Sequence, residues 1–373
     1  MKSLSVNLFV ALRSYHKINK ISLYNFSFFP NNKRFFTMNE VLTPRDSGEF
    51  IASKASHVKI IPDGIQKLAS AVEEALEAGS ISIRGFAESP VHPKPNDPEC
   101  LDALLVMDAL NFSFWTPDNQ PKWTVVYDDV PYTGYFALCA ALVRAKKEGV
   151  DVWRPEVYSK LTEQQLKEIL RSSTTTEVPL IKERCQCLQE VGNVLTTKFS
   201  GSFSNLIKQA EESAVNLLNL IVSSFPCFRD EATYKGQKVA IYKRAQILVA
   251  DVWSCFEGQG QGRLKDIDQI TMFADYRVPQ MLVYYGCLEY SPQLQEKIAK
   301  GVDLPPGSEE EVEIRGCSIA VVDRAYQLLV TSERTHNRMV NPVLIDQWLW
   351  TERRRIADAV EHLGYHKTRT IFY

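Results

Sequence analysis

Apolar residues recur along most of the chain with the 3.6-residue period of an amphipathic helix. Between residues 65 and 78, Ile65, Leu68, Val72 and Leu76 follow this period, and Gly79 stands where a helix C-cap belongs. The same periodicity predicts helices over residues 101–112, 135–147, 161–171, 180–191, 206–222, 241–256, 279–290, 319–330 and 343–362. Patterns typical of strands are limited to residues 123–127, 81–83 and 58–61. The pattern therefore predicts a mostly α fold with a minor β element in the N-terminal half.

Proline, glycine and charged residues interrupt the helical pattern at three places. Residues 302–316 contain Pro305-Pro306-Gly307 and three consecutive glutamates, a composition typical of a solvated loop. The glycine-rich stretch 258–262 follows a predicted helix, which favours a flexible connection over a phosphate-binding loop. Pro279 disfavours helix at Val278 and suits the first turn of a new helix. We therefore expect a corner between two helices near residues 275–277.

Composition and charge narrow the class of protein. With 45% apolar and 24% charged residues, the chain falls in the globular range, which excludes a disordered or collagenous protein. Lys and Arg number 43 against 45 Asp and Glu, so the chain lacks the basic excess that binding a long phosphate backbone requires. The eight cysteines form no CxxC pair and no metal-ligand spacing, so we expect reduced, buried thiols. No apolar run is long enough for a membrane-spanning helix.

The first 37 residues differ in composition from the rest. No acidic residue precedes Glu40, whereas Lys, Arg, Ser, Asn and Phe are frequent, as in an organellar transit peptide. Met38 opens the segment of mixed charge, so a translation start there is the alternative explanation. We divide the chain into a basic extension, residues 1–37, and a folded domain, residues 38–373. The expected location is the cytoplasm, or the mitochondrion if the extension is a transit peptide.

Common catalytic motifs are absent from the sequence, which contains no P-loop, Rossmann fingerprint, nucleophile elbow or HExxH. What stands out is a set of charged residues among apolar helical runs between residues 225 and 280. Asp251 lies between Val249-Ala250 and Val252-Trp253, and a carboxylate so placed is either paired or functional. Lys243 lies nearly opposite the core stripe of the same helix, so periodicity alone predicts a solvated lysine.

The expected corner near residue 275 places a carboxylate close to the positive end of the following helix. Two interpretations stay open from the residues alone. Asp275 either only caps that helix, with Arg277 paired to a neighbour, or both side chains face a cleft.

Five long strings carry a family resemblance: LTPRDSGEFIA from residue 42, MDALNFSFW at 107–115, YTGYFALCAALVRA at 132–145, FRDEATYKGQKVAIYKRAQILVADVW at 228–253 and DIDQITMFADYRVPQ at 266–280. Over residues 38–373 the chain resembles the queuosine salvage proteins, the queuosine 5′-phosphate N-glycosylases. That family is similar in fold to the helical DNA glycosylases, which implies a helical bundle. The resemblance implies catalytic roles for Lys243 and Asp275. It implies a ligand pocket that contains His57, Phe228, Asp230, Asp251 and Asp268, and Arg277 is a candidate for contacting the phosphate.

The activity that the resemblance implies is cleavage of the N-glycosidic bond of queuosine 5′-monophosphate, which releases queuine for insertion into transfer RNA. It implies a small-molecule substrate, and we expect no cofactor or metal. The charge balance and the lack of a long apolar run predict no stable nucleic-acid partner and no membrane, and the lack of heptads favours a monomer. Two alternatives stay open. A glycosylase acting on polymeric nucleic acid would need a basic surface. A non-catalytic queuine carrier would retain its function after Asp275→Ala.

Overall fold

A computed structural model of the chain describes residues 40–117 and 119–373. The predicted basic extension and its boundary at Met38 lie outside these residues. The helices are α1 Pro44–Ala52, α2 Pro62–Glu77, α3 Gly85–Glu88, α4 Cys100–Ala109, α5 Tyr135–Lys147, α6 Pro155–Tyr158, α7 Glu163–Ile169, α8 Ile181–Lys198, α9 Phe203–Lys208, α10 Ala214–Ser224, α11 Lys243–Cys255, α12 Val278–Tyr284, α13 Pro292–Ala299, α14 Glu309–Val330, α15 Pro342–Arg355 and α16 Ala357–Val360. Single 3₁₀ turns occur at Pro226–Phe228, Gly260–Gly262, Ile267–Gln269, Glu333–Thr335 and Glu361–Leu363. The prediction of a mostly α fold is confirmed.

Strands form three antiparallel pairs of two strands each among the described residues. The strands are β1 Val58–Ile60, β2 Thr124–Tyr127, β3 Val130–Thr133, β4 Glu231–Tyr234, β5 Gln237–Ala240 and β6 Leu288–Tyr290. β2 pairs with β3 and β4 with β5 across tight turns, whereas β1 pairs with the distant β6 in the register Val58↔Tyr290. The strands predicted at residues 58–61 and 123–127 are therefore present, as β1 and β2. Residues 81–83 form none, and half of the strands lie in the C-terminal half of the chain, contrary to the prediction.

Residues 302–316 are not the long loop that their composition suggested. The loop ends at Ser308, whose hydroxyl accepts a hydrogen bond from the Glu311 amide at 3.4 Å, and α14 begins at Glu309. The three glutamates occupy the first turn, where negative charge is favourable beside the positive end of the helix dipole. A run of glutamates is typical both of a solvated loop and of a helix start, so composition alone did not separate the two.

The buried helix α14 forms the centre of the apolar core and contacts α1, α2, α12 and α15. A close approach to α1 depends on Gly316, because a Cβ at that position would lie 2.4 Å from the Ile51 side chain. Helix α11 packs against α4 and α10 on another side of the core. Three charged residues of α14 near Gly316 are also buried, namely Glu311, Glu313 and Arg315. A periodic apolar pattern does not predict the burial of charged residues.

The C-terminal tail closes one side of the molecule against residues 111–115. The Ser113 amide donates to the Tyr373 carbonyl oxygen at 2.9 Å, and the Trp115 indole donates to the Thr368 carbonyl oxygen at 3.1 Å. Tyr373 is fully buried beneath this contact. The tail and residues 111–115 together form a wall beside the first turn of α11.

The eight cysteines are all buried free thiols, as their spacing predicted. The Sγ atoms of Cys100 and Cys255 are 3.3 Å apart. Within the described part of the chain, no helix combines the length and the apolar character that crossing a bilayer requires.

Candidate active site

The corner predicted before α12 is present, and it holds Asp275 half-buried. One Asp275 carboxylate oxygen accepts hydrogen bonds from the amides of Arg277 at 2.8 Å and Val278 at 2.7 Å. Pro279 occupies the first turn of α12, as expected for a residue that lacks an amide hydrogen. Asp275 therefore caps α12 with one oxygen, and the amides fix the direction of its carboxylate.

Lys243 is buried at the start of α11, contrary to the solvated position that periodicity suggested. Its side chain is only 6% exposed, and its ammonium donates to the Asn111 carbonyl oxygen at 3.4 Å. The wall formed by residues 111–115 covers this face of α11, so the face opposite the core stripe is enclosed as well. Burial lowers the pKa of Lys243, while the negative charges of Asp275 and then Asp108 oppose that shift.

Four acidic side chains, those of Asp108, Asp251, Asp275 and Asp346, lie near enough to Lys243 for their charges and that of its ammonium to influence one another, and together with Lys243 they form the charge cluster. Burial raises the pKa of Asp108 to about 7. It also raises the pKa values of Asp251 and Asp346 well above the ordinary range of a carboxyl group. Burial removes the water that stabilises a carboxylate, so these three groups favour the protonated form at moderate pH.

The three buried acids differ in their hydrogen bonds. Asp346 accepts from the Phe273 amide at 2.9 Å, and Asp108 accepts from the Asn111 side-chain amide at 3.2 Å with one oxygen, while its other oxygen has no partner. Asp251 accepts no hydrogen bond from any described residue. The cluster thus contains carboxyl oxygens that are available to a ligand.

A buried ion pair connects the two candidate catalytic residues through the backbone. Arg315 donates to both carboxylate oxygens of Asp230, at 3.0 and 2.6 Å, and its Nε donates to the Ala274 carbonyl oxygen at 2.9 Å. Asp230 also accepts from the Lys243 amide at 3.1 Å. The Asp230–Arg315 pair therefore holds the start of α11 and the residue before Asp275 in one rigid unit.

The other residues that the resemblance implied lie in different surroundings. Phe228 is fully buried, and the Arg244 guanidinium lies 4.7 Å above its ring. Asp268 is half-buried, and its carboxylate accepts from the Gln269 side chain at 3.2 Å. Within the described residues, neither Asp268 nor His57 hydrogen-bonds with Lys243 or Asp275. Their binding roles stay predictions.

His57 lies beside two glutamates of α14. Its imidazole and the carboxylates of Glu309 and Glu313 offer atoms that lie within 4.8 Å of one another. Glu313 already accepts from the amides of residues 56–58 and from the Tyr234 hydroxyl at 2.8 Å. Glu309 binds the Lys235 ammonium at 2.8 Å. These partners account for both carboxylates, so the group stabilises the fold around β1 without requiring a ligand.

Arg277 makes its side-chain contacts with Tyr365 and Glu361. Its guanidinium stacks 3.7 Å above the Tyr365 ring and lies 3.4 Å from the Glu361 carboxylate. The structure therefore brings together Lys243, Asp275, Asp251 and, through a backbone contact, Asp230.

Sequence reasoning missed Asp108 and Asp346. Both lie in strongly apolar runs, LLVMDAL in α4 and VLIDQWL in α15. A single carboxylate among apolar residues is the same pattern that drew attention to Asp251. A search for single carboxylates inside buried helices would have found both residues.

Comparison with known proteins adds the identity of the family. The model of the family described as "Queuosine salvage protein" matches residues 91–373. A protein of Nematostella vectensis named "Queuosine 5'-phosphate N-glycosylase/hydrolase" is 41% identical over 90% of this chain and 99% of its own length. Proteins with the same name from Mus musculus and Sphaerobacter thermophilus are each 41% identical, over 90% and 72% of this chain and 100% and 80% of their own lengths.

Proposed function

We propose that this chain, which belongs to the queuosine salvage protein family, hydrolyses the N-glycosidic bond of queuosine 5′-monophosphate and releases queuine. The observation that carries the proposal is the enclosed charge cluster, in which the Lys243 ammonium lies among Asp275 and three carboxyl groups of raised pKa. Perturbed pKa values at one enclosed position are typical of acid and base catalysis.

Asp275 is the residue that acts on the sugar in this proposal. Breaking the bond between ribose C1′ and the base develops positive charge on the sugar, and a carboxylate fixed beside C1′ stabilises that charge. The two amides of residues 277 and 278 hold one oxygen of Asp275, so the carboxylate meets the transition state without reorganising. Water then adds to C1′ and gives ribose 5-phosphate, and Asp275 accepts the proton that this water loses.

The departing base requires a proton, because it leaves with the electron pair of the broken bond. A 7-deazaguanine lacks the N7 that a purine glycosidase protonates, so the proton must reach the base elsewhere. Asp108 is a suitable donor, since burial keeps its carboxyl group protonated up to pH of about 7. Lys243 stabilises the Asp275 carboxylate electrostatically while the charge on the sugar develops.

Asp251 is the proposed partner for the cationic secondary amine of queuine. Its carboxyl group has no hydrogen-bond partner among the described residues, whereas both oxygens of Asp230 are bound to Arg315. A cationic amine entering the cluster favours the ionised form of Asp251 and forms a charge-assisted hydrogen bond with it. Asp230, in contrast, contributes by holding α11 in place.

The test is queuine release from queuosine 5′-monophosphate by the full chain and by Asp275→Asn. We expect the parent chain to release queuine and Asp275→Asn to lose at least about 100-fold in rate, because the charge is removed with little change of shape. Asp129→Asn is the matched control, since Asp129 is exposed in the turn between β2 and β3. If Asp275→Asn released queuine as fast as the control, the assigned role of Asp275 would be wrong.

The remaining expectations about partners and location belong to the same proposal. The small-molecule substrate makes a stable nucleic-acid partner unnecessary, and the net charge of −2 offers no general attraction to one. We propose a monomer in the cytoplasm, and import into mitochondria if residues 1–37 act as a transit peptide. Light scattering of the purified chain tests whether it is a monomer. Imaging of fluorescent fusions that begin at Met1 and at Met38 tests its location.

A further inference from the structure

Two buried thiols from distant parts of the sequence meet where α4 packs against α11. Cys100 is the first residue of α4, Cys255 is the last residue of α11, and their Sγ atoms lie 3.3 Å apart. The sulfur atoms of a disulfide are about 2.05 Å apart, so a closing movement of about 1 Å joins this pair. The fold therefore holds two free thiols in position for a bond that links α4 to α11.

The surroundings of the pair make Cys255 the more reactive of the two sulfur atoms. The hydrogen bond from the Cys100 thiol lowers the pKa of Cys255, burial opposes that shift, and the positive charge of Lys94 adds to it. The same hydrogen bond, followed by burial, raises the pKa of Cys100. The Cys255 thiol itself donates to the Pro93 carbonyl oxygen at 3.7 Å. Because the thiolate is the nucleophile in thiol oxidation, Cys255 reacts first and Cys100 second.

A recess of about 200 Å³ leads from the surface to the pair. Its lining includes Cys100 and Phe256, the residue after Cys255, together with residues 95–98. The segment 89–99, which provides that part of the lining, contains four prolines and forms no helix or strand. Irregular segments open at a lower free energy than core helices. A molecule as small as hydrogen peroxide can therefore reach the two thiols without unfolding of α4 or α11.

The two helices that the thiols would link also carry the charge cluster. Asp108 lies about two turns after Cys100 on α4, and Asp251 lies about one turn before Cys255 on α11, the helix that begins at Lys243. A disulfide draws the end of α11 towards the start of α4, and Asp251 moves with that end of the helix. A displacement of about 1 Å at catalytic groups lowers a rate by up to about 100-fold.

We propose that hydrogen peroxide converts Cys100 and Cys255 into a reversible disulfide and that this bond slows the release of queuine. The Cys255 thiolate attacks one oxygen of the peroxide, the O–O bond breaks, and the departing hydroxide takes up the proton that Cys255 lost. The Cys100 sulfur then attacks the resulting sulfenic acid, and its proton leaves with the hydroxyl group as water. Two thiols are oxidised, and one peroxide is reduced to two water molecules. Formation of the disulfide is independent of the proposed function, whereas its effect on the rate rests on that function.

The test exposes the reduced full chain to hydrogen peroxide and counts its free thiols after unfolding. We expect the parent chain to lose two of its eight thiols and a non-reducing digest to contain a peptide that links Cys100 to Cys255. Cys255→Ala should lose none, because the attacking sulfur is absent. Cys100→Ala should lose one, as a sulfenic acid at Cys255 that dimedone traps. The matched control is Cys287→Ala, since Cys287 is also a buried free thiol, and it should lose two like the parent.

Queuine release is then measured before oxidation, after oxidation and after treatment with dithiothreitol. We expect release by the parent chain and by Cys287→Ala to fall about 10- to 100-fold on oxidation and to recover with dithiothreitol, while Cys255→Ala keeps its rate throughout.

Three results would contradict parts of this account in different ways. A parent chain that retained all eight thiols, or whose digest lacked the linked peptide, would refute the disulfide site. A linked peptide with an unchanged rate of queuine release would refute the effect on activity. A parent chain that released no queuine even when reduced would refute the proposed function, and the thiol count and the linked peptide would still decide whether the disulfide forms.

Discussion

Replacing Arg315 by methionine tests whether the buried Asp230–Arg315 pair organises the candidate active site. The Arg315 and Asp230 side chains are 4% and 6% exposed, and Glu311, at 3%, shares the same guanidinium. Methionine has a similar length but leaves both carboxylates buried without their cation. Removing one partner of a buried pair costs about 3–5 kcal/mol, a large fraction of the stability of a typical domain. We expect the free energy of unfolding of Arg315→Met to fall by that amount.

The matched control lies about two and a half turns further along the same helix. Arg324 binds Glu49 at 2.8 Å, but these side chains are 42% and 47% exposed, so Arg324→Met should cost about 0–1 kcal/mol. Urea unfolding followed by tryptophan fluorescence gives both values from the linear dependence of the free energy on urea concentration. A destabilisation of Arg315→Met no larger than that of Arg324→Met would refute the reasoning.

The same substitution has a functional consequence that stability alone does not explain. Arg315 supports the Ala274 carbonyl next to Asp275, and Asp230 supports the Lys243 amide. Under conditions in which both variants are fully folded, we expect Arg315→Met to release queuine more slowly than Arg324→Met. The loss should appear in kcat more than in KM, because displaced catalytic groups weaken the transition state.

Three further predictions follow from single positions. Lys243→Met should lower the rate of queuine release about 100-fold or more while circular dichroism shows an unchanged helix content. Burial raises the pKa of Asp108 to about 7, so the folded protein binds a proton that the unfolded chain releases near pH 4. The contribution of Asp108 to the free energy of unfolding therefore decreases as pH rises from about 4 to about 7, and Asp108→Asn should flatten that slope in urea titrations. Gly64→Ala places a Cβ 2.0 Å from the Gly286 carbonyl oxygen and should lower the melting temperature, whereas Gly85→Ala, with open space around it, should not.

The helical pattern predicted most of the fold because apolar side chains at the helical period are what the core requires. It identified α2 well, since Leu68 and Val72 face the core on one side and the opposite side is open to solvent. It was less informative for helices that are enclosed on all sides. In α14 the buried charged residues Glu313 and Arg315 break the apolar stripe, yet they are held by hydrogen bonds to distant parts of the chain.

The same limit explains the interpretation of Lys243. A helical wheel shows which side of α11 is apolar, but it does not show that residues 111–115 and the C-terminal tail cover the other side. The corner at Asp275 was predictable, because Pro279 restricts the residue before it and begins the next helix within a few positions. Asp108 and Asp346 join the cluster only through contacts between distant segments, which local patterns do not contain.

The most direct test of the central claim is to identify the products that the parent chain forms from queuosine 5′-monophosphate in ¹⁸O-labelled water. Hydrolysis predicts free queuine and ribose 5-phosphate in equal amounts, with the label at C1′ of the sugar when mass spectra are recorded before exchange. Binding of the nucleotide without release of queuine would contradict the account, and would identify the chain as a carrier.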